Sequence, residues 1–136
     1  FNSSGGLVWA RALQSVEPVF VYGLDVDAAG AVYAAGALLG ETDFDPSASS
    51  FMRTPAGDVD AFILKLTPTG NLDWAETFGG TGTDAALGLA VDSLGVIHLA
   101  GYFQYTVDFD PNPLATYYLA SPSTMSCAFR LRLRQA

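Results

Sequence analysis

The chain is 136 residues long and half hydrophobic, with 6 Lys and Arg against 14 Asp and Glu. That composition excludes intrinsic disorder, which lacks the apolar residues to build a core. The net charge of −8 excludes nucleic-acid binding, which needs a basic face. The longest uncharged stretch, Pro111 to Phe129, holds three prolines and cannot be a membrane helix.

The elements read as strands and turns. Leu24 to Asp27 is a strand running into Ala28-Ala29-Gly30. Asp27 suits a turn in which its carboxylate bonds its own backbone and Gly30 takes a positive φ. Ala31 to Leu38 follows as a strand and runs out at Gly40. The alanine-rich stretch Ala28 to Leu39 is the best helix candidate, but Gly30 and Gly36 would each cost a helix about 1 kcal/mol. In Asp43-Phe44-Asp45 the alternation puts both carboxylates on one face and the ring toward the core. Ala61 to Leu66 is an apolar strand, Pro68-Thr69-Gly70-Asn71 a strong turn, and Leu72 to Phe78 the returning strand. Gly79-Gly80-Thr81-Gly82-Thr83-Asp84 reads as a flexible turn between units. It matches the start of a calcium-binding β-roll repeat, yet occurs once where that fold needs consecutive copies. Leu87 to Val91, a turn at Ser93-Leu94-Gly95 with Asp92 in the role of Asp27, Val96 to Phe103 and Phe129 to Leu133 complete the series.

A repeat organises these elements. With a shift of 65, Trp9 falls on Trp74, Gly23-Leu24 on Gly88-Leu89, Ala35-Gly36 on Ala100-Gly101, and Asp43-Phe44-Asp45-Pro46 on Asp108-Phe109-Asp110-Pro111. Fifteen of the 42 positions from 5 to 46 are identical in this register, both tryptophans of the chain among them, which is hard to reach by accident. A two-residue insertion in the second unit then raises the shift to 67, and Asp60 to Leu66 falls on Cys127 to Leu133. Units of roughly 40–65 residues with about four strands have the period of propeller blades. The expected fold is therefore all-β, with two propeller-type blades of four antiparallel strands and an incomplete ring, since a closed propeller takes about four to eight blades.

The residues Asp60 to Asp84, Ala90 to Phe103 and Val107 to Pro111 resemble the repeats of bacterial SBBP-type β-propeller proteins. The resemblance covers nearly the whole chain and is specific for fold. It implies a secreted or cell-surface, non-enzymatic protein, often one with many blades. Unit one departs from the pattern at Gln14 to Tyr22, and unit two at Cys127. On this reading residues 1–19 carry the closing strand (Leu7 to Leu13) of a preceding or neighbouring blade. Residues 20–80 form blade one, and 81–136 form blade two, lacking its last strand. The start at Phe1 points to a processed form or a piece of a longer chain.

Several residues invite a functional reading. Asp43, Asp45, Asp108 and Asp110 supply paired oxygens that suit a hard cation such as Ca2+, the one candidate cofactor. The competing reading is a solvated strand end with Asp-Pro as turn starter. Tyr102 and Tyr105, near Tyr117 and Tyr118, suit a glycan-binding aromatic surface or blade-to-blade packing. Arg130, Arg132 and Arg134 share one strand face, either as a basic edge that blocks sheet aggregation or as a docking strip for an acidic neighbour. Trp9 joins them as an interface residue. His98, in the place of Tyr33, and the lone Cys127 make no zinc set, and no Ser–His–Asp arrangement stands out, so no catalytic residue is assigned. The expectation is a non-enzymatic structural module of an extracellular array. It would associate through blade-to-blade or strand-exchange contacts into a ring or filament, or join further blades of a longer chain. A lectin-like propeller, with or without calcium, is the alternative.

Overall fold

The computed structural model describes residues 3–112, 114–122 and 126–133. Arg134 lies outside the described residues. The described residues form an all-β fold, with four antiparallel sheets of two to four strands among them. Sheet one sets β2 (Val19–Val26), β3 (Val32–Leu38), β6 (Asp60–Leu66) and β7 (Leu72–Phe78) side by side in that order. Sheet two does the same with β8 (Ala85–Val91), β9 (Ile97–Phe103) and β12 (Cys127–Leu133). Between its second and third long strands each unit makes an excursion. In the first, β4 (Thr42–Asp43) pairs with β5 (Met52–Arg53) and with β1 (Gln14–Ser15). In the second, β10 (Thr106–Asp108) pairs with β11 (Tyr118–Ala120).

The alanine-rich segment after Gly30 is a strand, and the turns before β3 and β9 are built alike. Asp27 Oδ1 accepts the N–H groups of Ala29 and Ala31, both at 2.9 Å, and Gly30 takes φ 84°. Asp92 Oδ1 accepts those of Leu94 and Val96, both at 2.9 Å, and Gly95 takes φ 74°. The outer carboxylate oxygen is held by Tyr33 Oη at 3.1 Å in one unit and by His98 Nε2 at 3.3 Å in the other. A phenol and an imidazole thus do the same work on equivalent turns. Both first strands also bulge at one place, between Val21 and Gly23 and between Ala86 and Gly88. Opposite each bulge stands a glycine, Gly36 or Gly101. A Cβ there would overlap the carbonyl oxygen of Phe20 or Ala85.

Burial follows the side-chain alternation of the strands. One face of sheet one, which we term its front, presents Tyr33, Ala35, Ala61 and Ile63 to the main core. The back of sheet two supplies Ile97, Leu99 and Phe129 to the same core, with Leu89, Val91 and Leu131 packed against it. Phe109 joins them, its ring centroid 4.8 Å from Phe129 and 5.5 Å from Phe103. The back of sheet one carries a second core of Leu38, Phe44, Phe62, Leu64 and Leu66, where the Phe44 and Phe62 rings meet at 5.2 Å. Phe44 and Phe109 therefore both point inward, and each packs on the equivalent phenylalanine of its own unit.

Leu7 to Leu13 forms no strand within this chain. Trp9 and Leu13 pack instead against the back-face core of sheet one. Trp9 Nε1 donates to the carbonyl of Pro68 at 2.9 Å, and Arg11 Nε to that of Gly70 at 2.9 Å. The segment Gln14 to Tyr22, which breaks the repeat pattern, supplies β1 and the first half of β2.

Candidate interface and carboxylate sites

The joint between the sheets is made where their first strands meet. An ideal Cβ on Gly23 would stand 2.9 Å from Leu89 Cβ and 3.1 Å from Leu89 N, so β2 and β8 approach as closely as a missing side chain allows. Asp25 then reaches across, and its Oδ2 accepts the N–H of Val91 at 2.6 Å. A charge-assisted bond of this length is at the strong end of the range. Further out, the loops close the joint. Val59 bridges Thr83 in parallel, Asp84 N donates to Val59 O at 2.8 Å, and Val59 N donates to Gly82 O at 3.3 Å.

This outer joint holds the two residues that sequence reasoning missed. Asp60 and Asp84 are both buried. Asp60 accepts N–H bonds from Ala56 at 2.8 Å and Gly57 at 3.3 Å. Asp84 accepts them from Gly80 and Gln104, both at 2.9 Å. Burial pushes both carboxyls above the ordinary aspartate value, against the pull of these backbone bonds, and the charge of Asp84 raises Asp60 further. The Gly79 to Asp84 segment is therefore a packed joint rather than a loose turn. A Cβ at Gly79 would overlap the Asp60 carboxylate. The available signal was positional: each aspartate directly precedes an apolar run, and the second closes a glycine-rich stretch.

The acid pairs at the excursions are spent on backbone. Asp43 Oδ1 accepts N–H bonds from Asp45 at 3.0 Å and Phe51 at 2.8 Å, and those bonds hold its carboxyl below the ordinary value. Asp108 Oδ1 does the same for Asp110 at 3.0 Å and Tyr117 at 2.8 Å. Asp45 and Asp110 each cap the residue two further on, Ser47 and Asn112, at 2.9 Å. The shared pattern Asp-Phe-Asp-Pro is thus a hairpin lock, with the phenylalanine as its buried pin. Among the described residues no three His, Cys, Asp or Glu side chains come together as a metal set.

The remaining expected residues are scattered. Tyr102 is half-buried on β9. Tyr105 is exposed at a positive φ of 61°, tied by Ser121 Oγ to its N–H at 3.0 Å, and its ring lies over Gly82. Tyr117 and Tyr118 are exposed by the β10–β11 hairpin. Arg130 and Arg132 are exposed on β12, paired in register with Ala100 and His98. Trp9 is half-buried against the turn before β7. Cys127 is a half-buried free thiol packed on the main core.

One asymmetry organises all of this. In sheet two the back face is covered: Ala86 is 0% exposed, and Leu89 and Val91 pack on the core. The equivalent residues of sheet one, Val21, Leu24 and Val26, are 52%, 64% and 50% exposed. Val21 and Leu24 line an apolar groove with Val32, Ala34, Leu64 and Leu66, partly roofed by Trp9 and Leu13. Compared with protein-family models and with curated proteins, the sequence matches none.

Proposed function

We propose that this chain is an assembly module. It is a pair of propeller-type blades whose work is to stack face to face with further sheets of the same repeat. The observation that carries the reading is the unequal cover of equivalent residues. Leu89 and Val91 are packed beneath sheet one, whereas Leu24 and Val26 stand in solvent. Exposed apolar patches of this kind mark interaction sites. The face that covers sheet two is the front of sheet one: two alanines, Ala35 and Ala61, flanked by the phenol ring of Tyr33 and the aliphatic side chain of Ile63. On this reading the protein is non-enzymatic and works outside the cell, as its resemblance to SBBP-type repeats implies. Neither calcium nor glycan is needed for it.

The test is to rebuild that front on sheet two. Ala90→Asp and Arg130→Ile together restore the residues that Asp25 and Ile63 supply in sheet one. Sedimentation velocity is expected to show head-to-tail association of this double variant, lost again when Leu24→Lys is added. A double variant that stays monomeric with intact circular dichroism overturns the reading.

A further inference from the structure

The two open faces of the chain do not match each other. Resting on the stacking reading above, the repeat register tells what should stand on the front of sheet two if it were to cover a copy of sheet one. It would need the equivalents of Asp25, Tyr33, Ala35, Ala61 and Ile63. The residues present are Ala90, His98, Ala100, Ala128 and Arg130. The small residues are kept, so a sheet can still approach closely. The carboxylate that caps the neighbour's first strand is gone, and the central aliphatic side chain is replaced by a guanidinium. Arg132 extends the positive charge along the same face of β12, and both arginines are exposed. Three of the six cationic residues in a chain of net charge −8 are Arg130, Arg132 and Arg134.

Against the Val21, Leu24 and Val32 face of a second copy, Arg130 would be stripped of water and given no acceptor. The desolvation of an unpaired charge exceeds what the apolar contact returns. Opposite a carboxylate, the same guanidinium would gain a bidentate, charge-assisted partner. We infer that the front of sheet two is an interaction surface for an acid-bearing sheet face and rejects the apolar back face of an identical copy. The chain is then a heterotypic joint. Its sheet-one end takes an apolar front, and its sheet-two end takes a neighbour with Asp or Glu on the strand that lies against it. In the internal joint β6 lies beside β8, so that carboxylate belongs on the neighbour's first strand. Substituting charge for aliphatic bulk at one of two otherwise equivalent faces is a way to specify order in a row of similar units.

The experiment uses the full chain as its own probe. A variant carrying Leu24→Glu, Val26→Glu and Arg130→Glu presents an acidic back face and a front whose central guanidinium is replaced by a carboxylate, with the two back-face substitutions at exposed positions of the edge strand β2. Mixed with the wild-type chain, it is expected to form a one-to-one complex by sedimentation velocity. That complex should weaken about tenfold or more between low and high salt, as a charge-driven contact should. The single variant Arg130→Glu, with its apolar back face intact, is expected to form none, and the wild-type chain alone is expected to stay monomeric. Absence of a complex with the acidic probe overturns the inference. So does self-association of the wild-type chain that Leu24→Lys abolishes. If the Ala90→Asp and Arg130→Ile chain associates while the acidic probe does not, the stacking reading stands and the charge inference alone falls.

Discussion

Gly23 and Gly88 occupy the same position in the two units, and the alanine variant at each isolates the contact between sheets. At Gly23 the new methyl would stand 2.9 Å from Leu89 Cβ and 3.1 Å from Leu89 N. Comfortable carbon contacts fall at about 3.5–4.0 Å, so the sheets must part by roughly half an ångström at their closest point. Overpacking of this kind costs about 1–3 kcal/mol. Neither glycine adopts a positive φ, so alanine also removes freedom from the unfolded chain, which returns about 0.4–1 kcal/mol. The expected net loss for Gly23→Ala is about 1–2 kcal/mol. At Gly88 nothing lies within 4 Å of the added methyl. Only the entropic gain remains, and Gly88→Ala should be more stable than wild type by about 0.4–1 kcal/mol. Urea unfolding followed by circular dichroism reads the difference. With a slope near 1.5 kcal/mol per molar urea, the two midpoints should separate by about 1–2 M, with unchanged slopes. Coincident midpoints, or a lower one for Gly88→Ala, would mean that the two sheets do not meet where their first strands approach.

Ile63→Ala, at a fully buried position in the core between the sheets, should cost about 2–5 kcal/mol in the same assay. For Asp84→Asn the expected effect depends on pH. The folded chain holds this carboxyl above 3.8 through burial, so the stability tied to its neutral form is present below that value and lost as pH rises. The variant should therefore gain on wild type in thermal midpoint as pH is raised from about 4 toward neutrality; a gap that narrows over that range contradicts the burial argument. Asp43→Asn should behave in the opposite sense, because its carboxyl is held low by two backbone N–H groups. Its disadvantage against wild type should shrink as pH falls below the ordinary aspartate range. Trp9→Ala removes a bond to Pro68 and a half-buried ring from a segment outside any sheet. Hydrogen exchange should quicken in the turn from Thr67 to Asn71, with little change in the amides of β9 and β12.

The long strands were legible because they obey simple rules. Leu72 to Phe78 follows a Pro-Thr-Gly-Asn turn and was placed to the residue. The turns at Asp27 and Asp92 were readable because an aspartate three residues before a glycine has few other uses there. The alternation around Phe44 and Phe109 showed which way those rings point, but the partner strands β5 and β11 were not legible, since two or three residues carry no period. Their pairing comes from Asp43 and Asp108 locking the far side of each hairpin. Leu7 to Leu13 has the same pattern as β7, yet a strand needs a neighbour to bond with, and pattern cannot supply one. Asp60 and Asp84 were hidden for a related reason. A carboxylate before an apolar run looks solvated until the loops that bury it, with Gly57, Gly79 and Gly80, are in place.

The offset between the units grows from 65 at Pro46 and Pro111 to 66 at Phe51 and Tyr117, and to 67 at Asp60 and Cys127. Both extra residues therefore enter at the excursions, one within the hairpin and one between it and the next long strand. The locks survive the change: Phe44 N meets Phe51 O at 3.0 Å, and Phe109 N meets Tyr117 O at 3.0 Å. Length is thus absorbed outside the framework, in a hairpin whose ends are clamped by one carboxylate and one buried ring. For protein engineering this marks the stretch between Ser47 and Ser50 as a grafting point, where a foreign epitope could be displayed while both sheets keep their register.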